Sequence, residues 1–429
     1  MQYNPPKGTR DFYPSDMALQ NMLFTAWRET ALRFGFEEYE GPMFEHLEVF
    51  TRKSGDEIVK QLYNFKDKSD RELALRPEIT PTLARMVASK GRELRKPVKW
   101  FSIPRLFRYE RMQRGRLREF FQYNLDIMGE PSVSAEAEIV AAAVSLIESF
   151  GAKKSEFRVR VNSRRLMRAL LLAIPISEER LDKAYGVLDR RAKTDAEGLK
   201  QLYADAGFSE SERDSIESIF SIKTLAEIGE KWGNNEEVAA SLADLHKFFS
   251  LVNAYGIIEC VIYDPAIVRG LAYYTGIVFE IHDTAGELRA MAGGGRYDNL
   301  IGLFGGEPTP AVGFGMGDAV ITEFLKDRGM IPQYKKECDA FIVTFEKDNM
   351  TPSIQMATLL RSKGFSVEFS LKQANFKKQM EAAQNAKFAV FVGGEEWERG
   401  EVKIKNMKSG EEKLVGKLSD ELIQILSGK

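Results

Sequence analysis

RLFRYERMQRGRLREFFQYNLDIMG, residues 105–129, is the stretch on which the fold turns. Between 105 and 119, six arginines (105, 108, 111, 114, 116 and 118) stand against two acids, Glu110 and Glu119. In an extended chain, residues two apart share a face. Arg108 and Glu110 therefore point one way, and Phe107 and Tyr109 the other. After a turn at Gly115, one face carries Arg116, Arg118, Phe120, Gln122, Asn124 and Asp126. The other carries Leu117, Glu119, Phe121, Tyr123, Leu125 and Ile127, apolar except for Glu119. An antiparallel sheet with one wet face would alternate in this way, but such faces favour Lys, Glu and Thr. A row of guanidinium groups around one aromatic suits a concave site instead. Arginine clamps phosphate or carboxylate with paired N–H bonds, and an aromatic ring offers a stacking surface for a base.

Outward from this hairpin, the chain divides by pattern. Segment 5–16 is punctuated by Pro, Gly and Asp and reads as a loop. From Asp16 to Phe34 the apolar residues recur at helical spacing, and Gly35 ends the run. Residues 36–40 read as a short strand, 134–150 as a helix and 156–162 as a strand. Residues 166–255 are almost wholly helix-like, and 258–320 return to strands and glycine-rich turns. The boundaries predicted are 1–165 for the first part of a catalytic core, 166–255 for a helical insertion and 256–325 for its second part. A charged linker follows over 326–337, then an α/β unit over 338–429. Within that unit, strands are expected at 339–345, 365–371, 387–393 and 401–407, and helices at 352–363, 374–385 and 418–427.

Composition bounds the function. Lys+Arg is 61 and Asp+Glu is 63, a formal net charge of -2, so a globally basic coat is excluded and no DNA partner is expected. No run approaches ~18 apolar residues, so no membrane partner is expected either. Two cysteines, Cys260 and Cys338, make neither a disulfide framework nor a four-Cys zinc site. His46, His246 and His282 lie far apart, and no metal site is predicted. The N-terminus has no signal or transit character, which points to a reducing cytoplasm. The glycines at 293–295 and at 313, 315 and 317 do not open a βαβ unit with an acid about 20 residues on, so they are not read as a dinucleotide fingerprint. They are read as places where backbone approaches a ligand closely.

FRYE, a turn and then RLREF resembles motif 2 of the class II aminoacyl-tRNA synthetases. Four further stretches narrow the resemblance to the histidyl-tRNA synthetase family. PKGTRDFYP resembles that family's P-x-G-T-x-D opening. LRPEITP (75–81) resembles its L-R-P-E-x-T-P, and RGLAYYTGIVFE (269–280) its R-G-L-x-Y-Y-T-G. AGGGRYDNLIGLFGGEPTPAVGFGMG (292–317) resembles its G-G-R-Y-D and motif 3 region. The resemblance covers essentially the whole chain. It implies an α+β fold: a class II synthetase antiparallel sheet flanked by helices, with a helical insertion and a C-terminal α/β anticodon-binding domain. It also implies a homodimer, because the segment around Pro42 matches motif 1, which lies at the family's dimer interface.

The resemblance implies roles residue by residue. The reaction is histidine activation by ATP, with Mg2+, followed by transfer to histidine tRNA. Arg108 would hold the ATP α-phosphate and the amino-acid carboxylate, with Arg269 opposite; a fixed cation there offsets charge building on phosphorus. Glu110 would accept from the adenine amino group, Arg116 would reach the γ-phosphate, and Phe120 would stack on adenine. Glu78, with Thr80 and Gln122, would meet the α-ammonium of L-histidine. Asp126 and Tyr274 would read the imidazole, which donates at one nitrogen and accepts at the other, with Tyr273 and Tyr297 alongside. Arg111 and Gln113 would touch the tRNA acceptor end.

Three positions depart from the family pattern. Val320 stands where motif 3 normally has an arginine beneath adenine, Ala272 stands where an acid is common, and Asp126 replaces the usual glutamate. The first two resemble a variant branch found in bacteria and plant organelles. The alternative to an enzyme is a non-catalytic relative, a histidine-sensing regulatory subunit of ATP phosphoribosyltransferase. Such relatives lack the anticodon domain and tend to lose the motif 2 and RGL arginines.

Overall fold

A computed structural model describes every residue except 1–2, 53–60, 92, 175, 192–193, 268–272, 346–349, 373 and 429. The chain forms two compact units, Met1–Pro332 and Gln333–Lys429.

In the first unit the strands are β1 (Glu37–Glu38), β2 (Phe44–His46), β3 (Tyr63–Lys66), β4 (Glu72–Leu75), β5 (Val98–Ser102), β6 (Arg105–Phe107) and β7 (Glu119–Met128). They continue as β8 (Phe157–Ser163), β9 (Val261–Tyr263), β10 (Ile277–Asp283), β11 (Ala292–Arg296) and β12 (Ala311–Gly317). The large sheet runs β1-β5-β7-β12-β11-β10-β8-β9, with β6 pairing to β7 off this path. Its two outermost pairings, β1 with β5 and β8 with β9, are parallel, and the interior pairings are antiparallel. A separate sheet, β2-β4-β3, lies nearby in sequence.

The sheet has two different faces, and the alternation in β7 produces them. Tyr123, Leu125 and Ile127 join Phe279, Ile281, Val312, Phe314 and Met316 in one core cluster. Two helices close that side. Pro14–Arg33 starts with Pro at its first turn, where a missing N–H costs nothing, and buries Leu23, Trp27 and Ala31. Its Trp27 ring stacks 5.6 Å from Tyr123. Ser134–Ser149 is apolar nearly all round, as a helix buried between layers must be, and places Ile139, Val140 and Val144 in the same core. The opposite face carries the even residues of β7 and is left for the site.

Helices Arg164–Ala173, Leu181–Arg191, Ala196–Asp205, Glu210–Ser221, Leu225–Trp232 and Glu236–Ala254 occupy the stretch read as helical. Their buried faces continue the main core through Leu170, Phe220, Leu245 and Phe248. The helix Asp318–Asp327 runs into the stretch read as linker, because Phe324 and Leu325 are fully buried.

The second unit has a five-stranded sheet: Val367–Phe369, Cys338–Thr344, Ala386–Val392, Glu401–Asn406 and Glu412–Gly416, in that order. The first three strands are parallel and the last two antiparallel. The strand Glu412–Gly416 was not legible in sequence, since only Val415 of its five residues is buried. Cys260 and Cys338 are both buried free thiols. Among the described residues, no helix is long and apolar enough to cross a membrane.

Candidate active site

The LRPEITP stretch ties the site together. Arg76 is buried, and its guanidinium bonds Glu40 Oε1 at 2.5 Å, the Gly41 carbonyl at 2.9 Å and the Arg105 carbonyl at 3.0 Å. Three segments distant in sequence are thereby fixed. The next carbonyl, that of Pro77, accepts from Arg108 Nε at 2.8 Å. The Arg108 guanidinium lies 5.3 Å from the Phe120 ring centroid. Arg108 is thus held through Nε and packed on an aromatic face before any ligand arrives.

Strand pairing stops at Phe107 and resumes at Glu119, with one isolated bridge, Gln113 to Arg116, between them. Arg108 and Glu110 nevertheless face one common cleft, as their parity predicts, although no ladder spans them. Residues 108–118 form an irregular loop, and polar contacts rather than a ladder hold it. Glu110 and Arg116 form an ion pair with each other. Arg118 lies 4.0 Å over the Tyr109 ring, and its backbone N–H donates to Gly8 in the PKGTRD segment. Arg114 reaches Glu323 at 2.8 Å and Asp327 at 2.5 Å on the helix Asp318–Asp327. Arg111 and Gln113 are exposed on this loop. Glu119, the polar exception on the apolar face, is buried against Arg105 at 2.9 Å.

A cleft of about 230 Å³ opens beside the loop. Arg108, Glu110, Arg116, Phe120 and Gln122 line it from the hairpin. Glu280 and Arg289 line it from β10 and the turn after it. Gly293, Gly315 and Gly317 lie along it, and Ala319 and Val320 form an uncharged wall. Val320 is 9% exposed, and a Cβ on Gly115 would lie 3.1 Å from its Cγ2. Val320 therefore packs under the hairpin turn as well as lining the cleft. Asp318, beside it, accepts from Arg10 at 2.7 Å and from the Phe121 N–H at 3.0 Å. Burial pushes the Asp318 carboxyl up, against the pull of Arg10.

Further along β7 the floor becomes a buried polar pocket. Tyr297 donates from its hydroxyl to Asp126 Oδ1 at 2.5 Å, and Tyr273 donates to Glu78 Oε2 at 3.2 Å. The Tyr273 ring lies 5.0 Å from that of Tyr274 and 6.0 Å from that of Tyr297. Asp126 is 3% exposed and Glu78 is 5% exposed. Burial raises the Asp126 carboxyl to about 7, with the Tyr297 bond pulling the other way. Among the described residues, Asp126 Oδ2 and the buried Tyr39 hydroxyl have no hydrogen-bond partner. Buried polar atoms are seldom left so, and a polar ligand is the natural occupant. Thr80 begins the helix Thr80–Lys90 at the edge of this region.

Glycines keep the floor open. A Cβ on Gly313 would lie 2.0 Å from Asp126 Oδ1, one on Gly315 would lie 2.7 Å from the Gln122 amide, and one on Gly295 would lie 2.9 Å from Tyr274 Cδ1. The register explains this: β12 lies directly beside β7, pairing Gly313 with Asp126 and Gly317 with Gln122.

The structure thus gathers Arg108, Glu110, Arg116, Phe120 and Gln122 in one cleft, and Glu78, Asp126, Tyr273, Tyr274 and Tyr297 in the adjoining pocket. Arg269 and Ala272 lie outside the described residues. Sequence reasoning missed Tyr39, Glu280 and Arg289. Only for Glu280 was a signal available: Val278, Glu280 and His282 alternate with the apolar Ile277, Phe279 and Ile281.

No cluster of three or more His, Cys, Asp or Glu able to hold a metal occurs among the described residues. Mg2+ does not require one, since it keeps most of its ligands from water and phosphate.

The pattern described as histidyl-tRNA synthetase matches residues 8–318, and that described as anticodon binding domain matches 339–427. The chain belongs to the histidyl-tRNA synthetase family. A chloroplastic/mitochondrial histidine–tRNA ligase of Arabidopsis thaliana is 42% identical over 419 residues, covering 97% of this chain and 85% of the relative. A histidine–tRNA ligase of Opitutus terrae is 39% identical, covering 93% of each. In fold, a histidyl-tRNA synthetase from Nostoc sp. superposes with a TM-score of 0.81 at 23% identity, covering 100% of this chain and 99% of the other. A Bacillus halodurans protein titled ATP phosphoribosyltransferase regulatory subunit/histidyl-tRNA synthetase gives 0.75 at 24% identity, covering 92% and 99%. At those identities the likeness speaks to the fold alone.

Proposed function

We propose that this protein is a histidine–tRNA ligase: it joins L-histidine to ATP as histidyl-adenylate, releasing pyrophosphate, and then transfers the histidyl group to histidine tRNA. The observation that carries this reading is the shared floor. One strand, β7, presents Phe120 and Gln122 to a cationic cleft and Asp126 to a buried polar pocket. An amino acid in the pocket and a nucleotide in the cleft then meet on adjacent residues of one rigid element.

The chemistry needs no side-chain nucleophile. A histidine carboxylate oxygen attacks the α-phosphorus, a P–O bond forms, and the bond to pyrophosphate breaks. Arg108 stabilises the charge that builds on phosphorus, and its fixed Nε means little reorganisation at that moment. Phe120 stacks on adenine, Glu110 accepts from its amino group and Arg116 meets the γ-phosphate, which requires the Glu110–Arg116 pair to part. Arg269 acts opposite Arg108. Glu78, with Thr80 and Gln122, receives the α-ammonium. Asp126, Tyr274, Tyr273 and Tyr297 read the imidazole, and Asp126 Oδ2, without a partner among the described residues, supports this. Glu280, one of two carboxylates lining the cleft, would help hold Mg2+, which would offset phosphate charge when bound with ATP. In the second step a terminal tRNA hydroxyl attacks the histidyl carbonyl and AMP leaves, with Arg111 and Gln113 against the acceptor end.

The partition into a core interrupted by a helical insertion, a linker and an anticodon-binding domain is retained as part of this reading. So is a homodimer through the Pro42 segment; exposed Met43 and the exposed pair Phe44 and Phe65, ring centroids 6.2 Å apart, support it. The buried free thiols fit a reducing, cytoplasmic setting. Exchange of labelled pyrophosphate into ATP tests the reading. Exchange that requires L-histidine is the expected result. Histidine binding without exchange would return the protein to the sensor alternative.

A further inference from the structure

Three described cations line the cleft: Arg108, Arg116 and Arg289. Arg108 is fixed through Pro77 and packs on Phe120, beside the histidine pocket. Arg116 is paired with Glu110. The wall of Ala319 and Val320 contributes no charge. A nucleoside triphosphate brings several negative charges, most of them on its two distal phosphates, so a further cation facing that end would add to what Arg116 and Mg2+ supply.

Arg289 is placed to supply it. It stands in the turn between β10 and β11, across the sheet from the motif 2 hairpin. The turn is anchored on both sides of it. Leu288 is buried and its N–H donates to the Asp283 carboxylate at 3.3 Å. Met291 is buried and its N–H donates to the Ile281 carbonyl at 2.7 Å. Arg289 itself is exposed, so its guanidinium reaches the cleft from a rigid rim at small desolvation cost. We infer that Arg289 binds the distal phosphates of ATP and supplies the charge that the Val320 wall lacks.

This rests on the ATP reading of the cleft, and the test separates the two. Wild-type protein and Arg289→Ala are compared in histidine-dependent pyrophosphate exchange. They are also compared in binding of a non-hydrolysable histidyl-adenylate analogue, which has no distal phosphates. A charge-assisted contact of this kind predicts a rise of about ten- to a hundredfold in KM for ATP and for pyrophosphate. KM for histidine and affinity for the analogue should be unchanged, and Arg289→Lys should recover most of the loss. No wild-type exchange would defeat the ATP reading itself. With wild-type exchange intact, an unchanged KM for ATP overturns the role of Arg289. Equal loss of ATP and analogue, or a lowered Tm that Arg289→Lys does not restore, overturns it as well.

Discussion

Asp126 concentrates the chemistry of the pocket in one carboxyl. It is buried, held at Oδ1 by Tyr297 and unpartnered at Oδ2 among the described residues. Gly313 lies tight against it, since a Cβ there would meet Asp126 Oδ1 at 2.0 Å. Burial raises the folded pKa of Asp126 to about 7, above the value of a carboxyl in an unfolded chain. Between about pH 4 and about pH 7 the folded protein keeps a proton that the unfolded chain has released, so stability falls as pH rises through that window. Asp126→Asn removes this titration. The variant should gain on wild type by on the order of a few kcal/mol across the window, read from urea midpoints at its two ends, while its KM for histidine rises. A stability difference that does not move with pH would contradict the burial account. The same scale shows what a sequence conceals. Asp126 and Phe120 were legible because both lie on one alternating strand. Tyr39 and Arg289 were not, since each reaches the site from a segment whose local pattern gives no sign of it.

At the level of elements, register builds the site. The β7–β12 pairing sets Gly313 against Asp126, and β11 sets Gly295 beneath Tyr274. The glycine runs were read as places where backbone approaches a ligand closely; in the structure Gly295, Gly313 and Gly315 approach the side chains of Tyr274, Asp126 and Gln122. Gly313→Ala would place a methyl group 2.0 Å from Asp126 Oδ1. The expected outcome is a rise in KM for histidine of at least about tenfold, as for a displaced polar contact, with KM for ATP little changed. A parallel rise in both constants would argue for general damage to the sheet. In the hairpin the alternation holds while the strand pairing does not. Residues 108–118 alternate like a strand but leave the ladder, because side-chain contacts to the Pro77 carbonyl, Tyr109 and the helix Asp318–Asp327 replace strand pairing. The hidden strand Glu412–Gly416 is the opposite case, a paired strand with too little burial to write an apolar pattern.

For the whole molecule, the order of segments mattered more than any one of them. The core is assembled from strands on either side of some ninety helical residues, and β8 of the first part pairs with β10 of the second. The family's opening and motif 3 regions meet through Arg10 and Asp318, at a separation no local pattern could reveal. The second unit, Gln333–Lys429, has its own core. Removing it should leave histidine-dependent pyrophosphate exchange within about twofold of the full chain and lower kcat/KM for tRNA by at least about tenfold. Unchanged charging would argue against anticodon reading by that unit.

The central claim is that imidazole is held at Asp126 on β7 and the reacting phosphorus at Arg108 in the hairpin loop beside it. A crystal structure with L-histidine and a non-hydrolysable ATP analogue measures this directly. The account predicts the imidazole within hydrogen-bond distance of Asp126 and the α-phosphate between Arg108 and Arg269. Imidazole bound elsewhere, or Arg108 and Arg269 facing separate cavities, would contradict it.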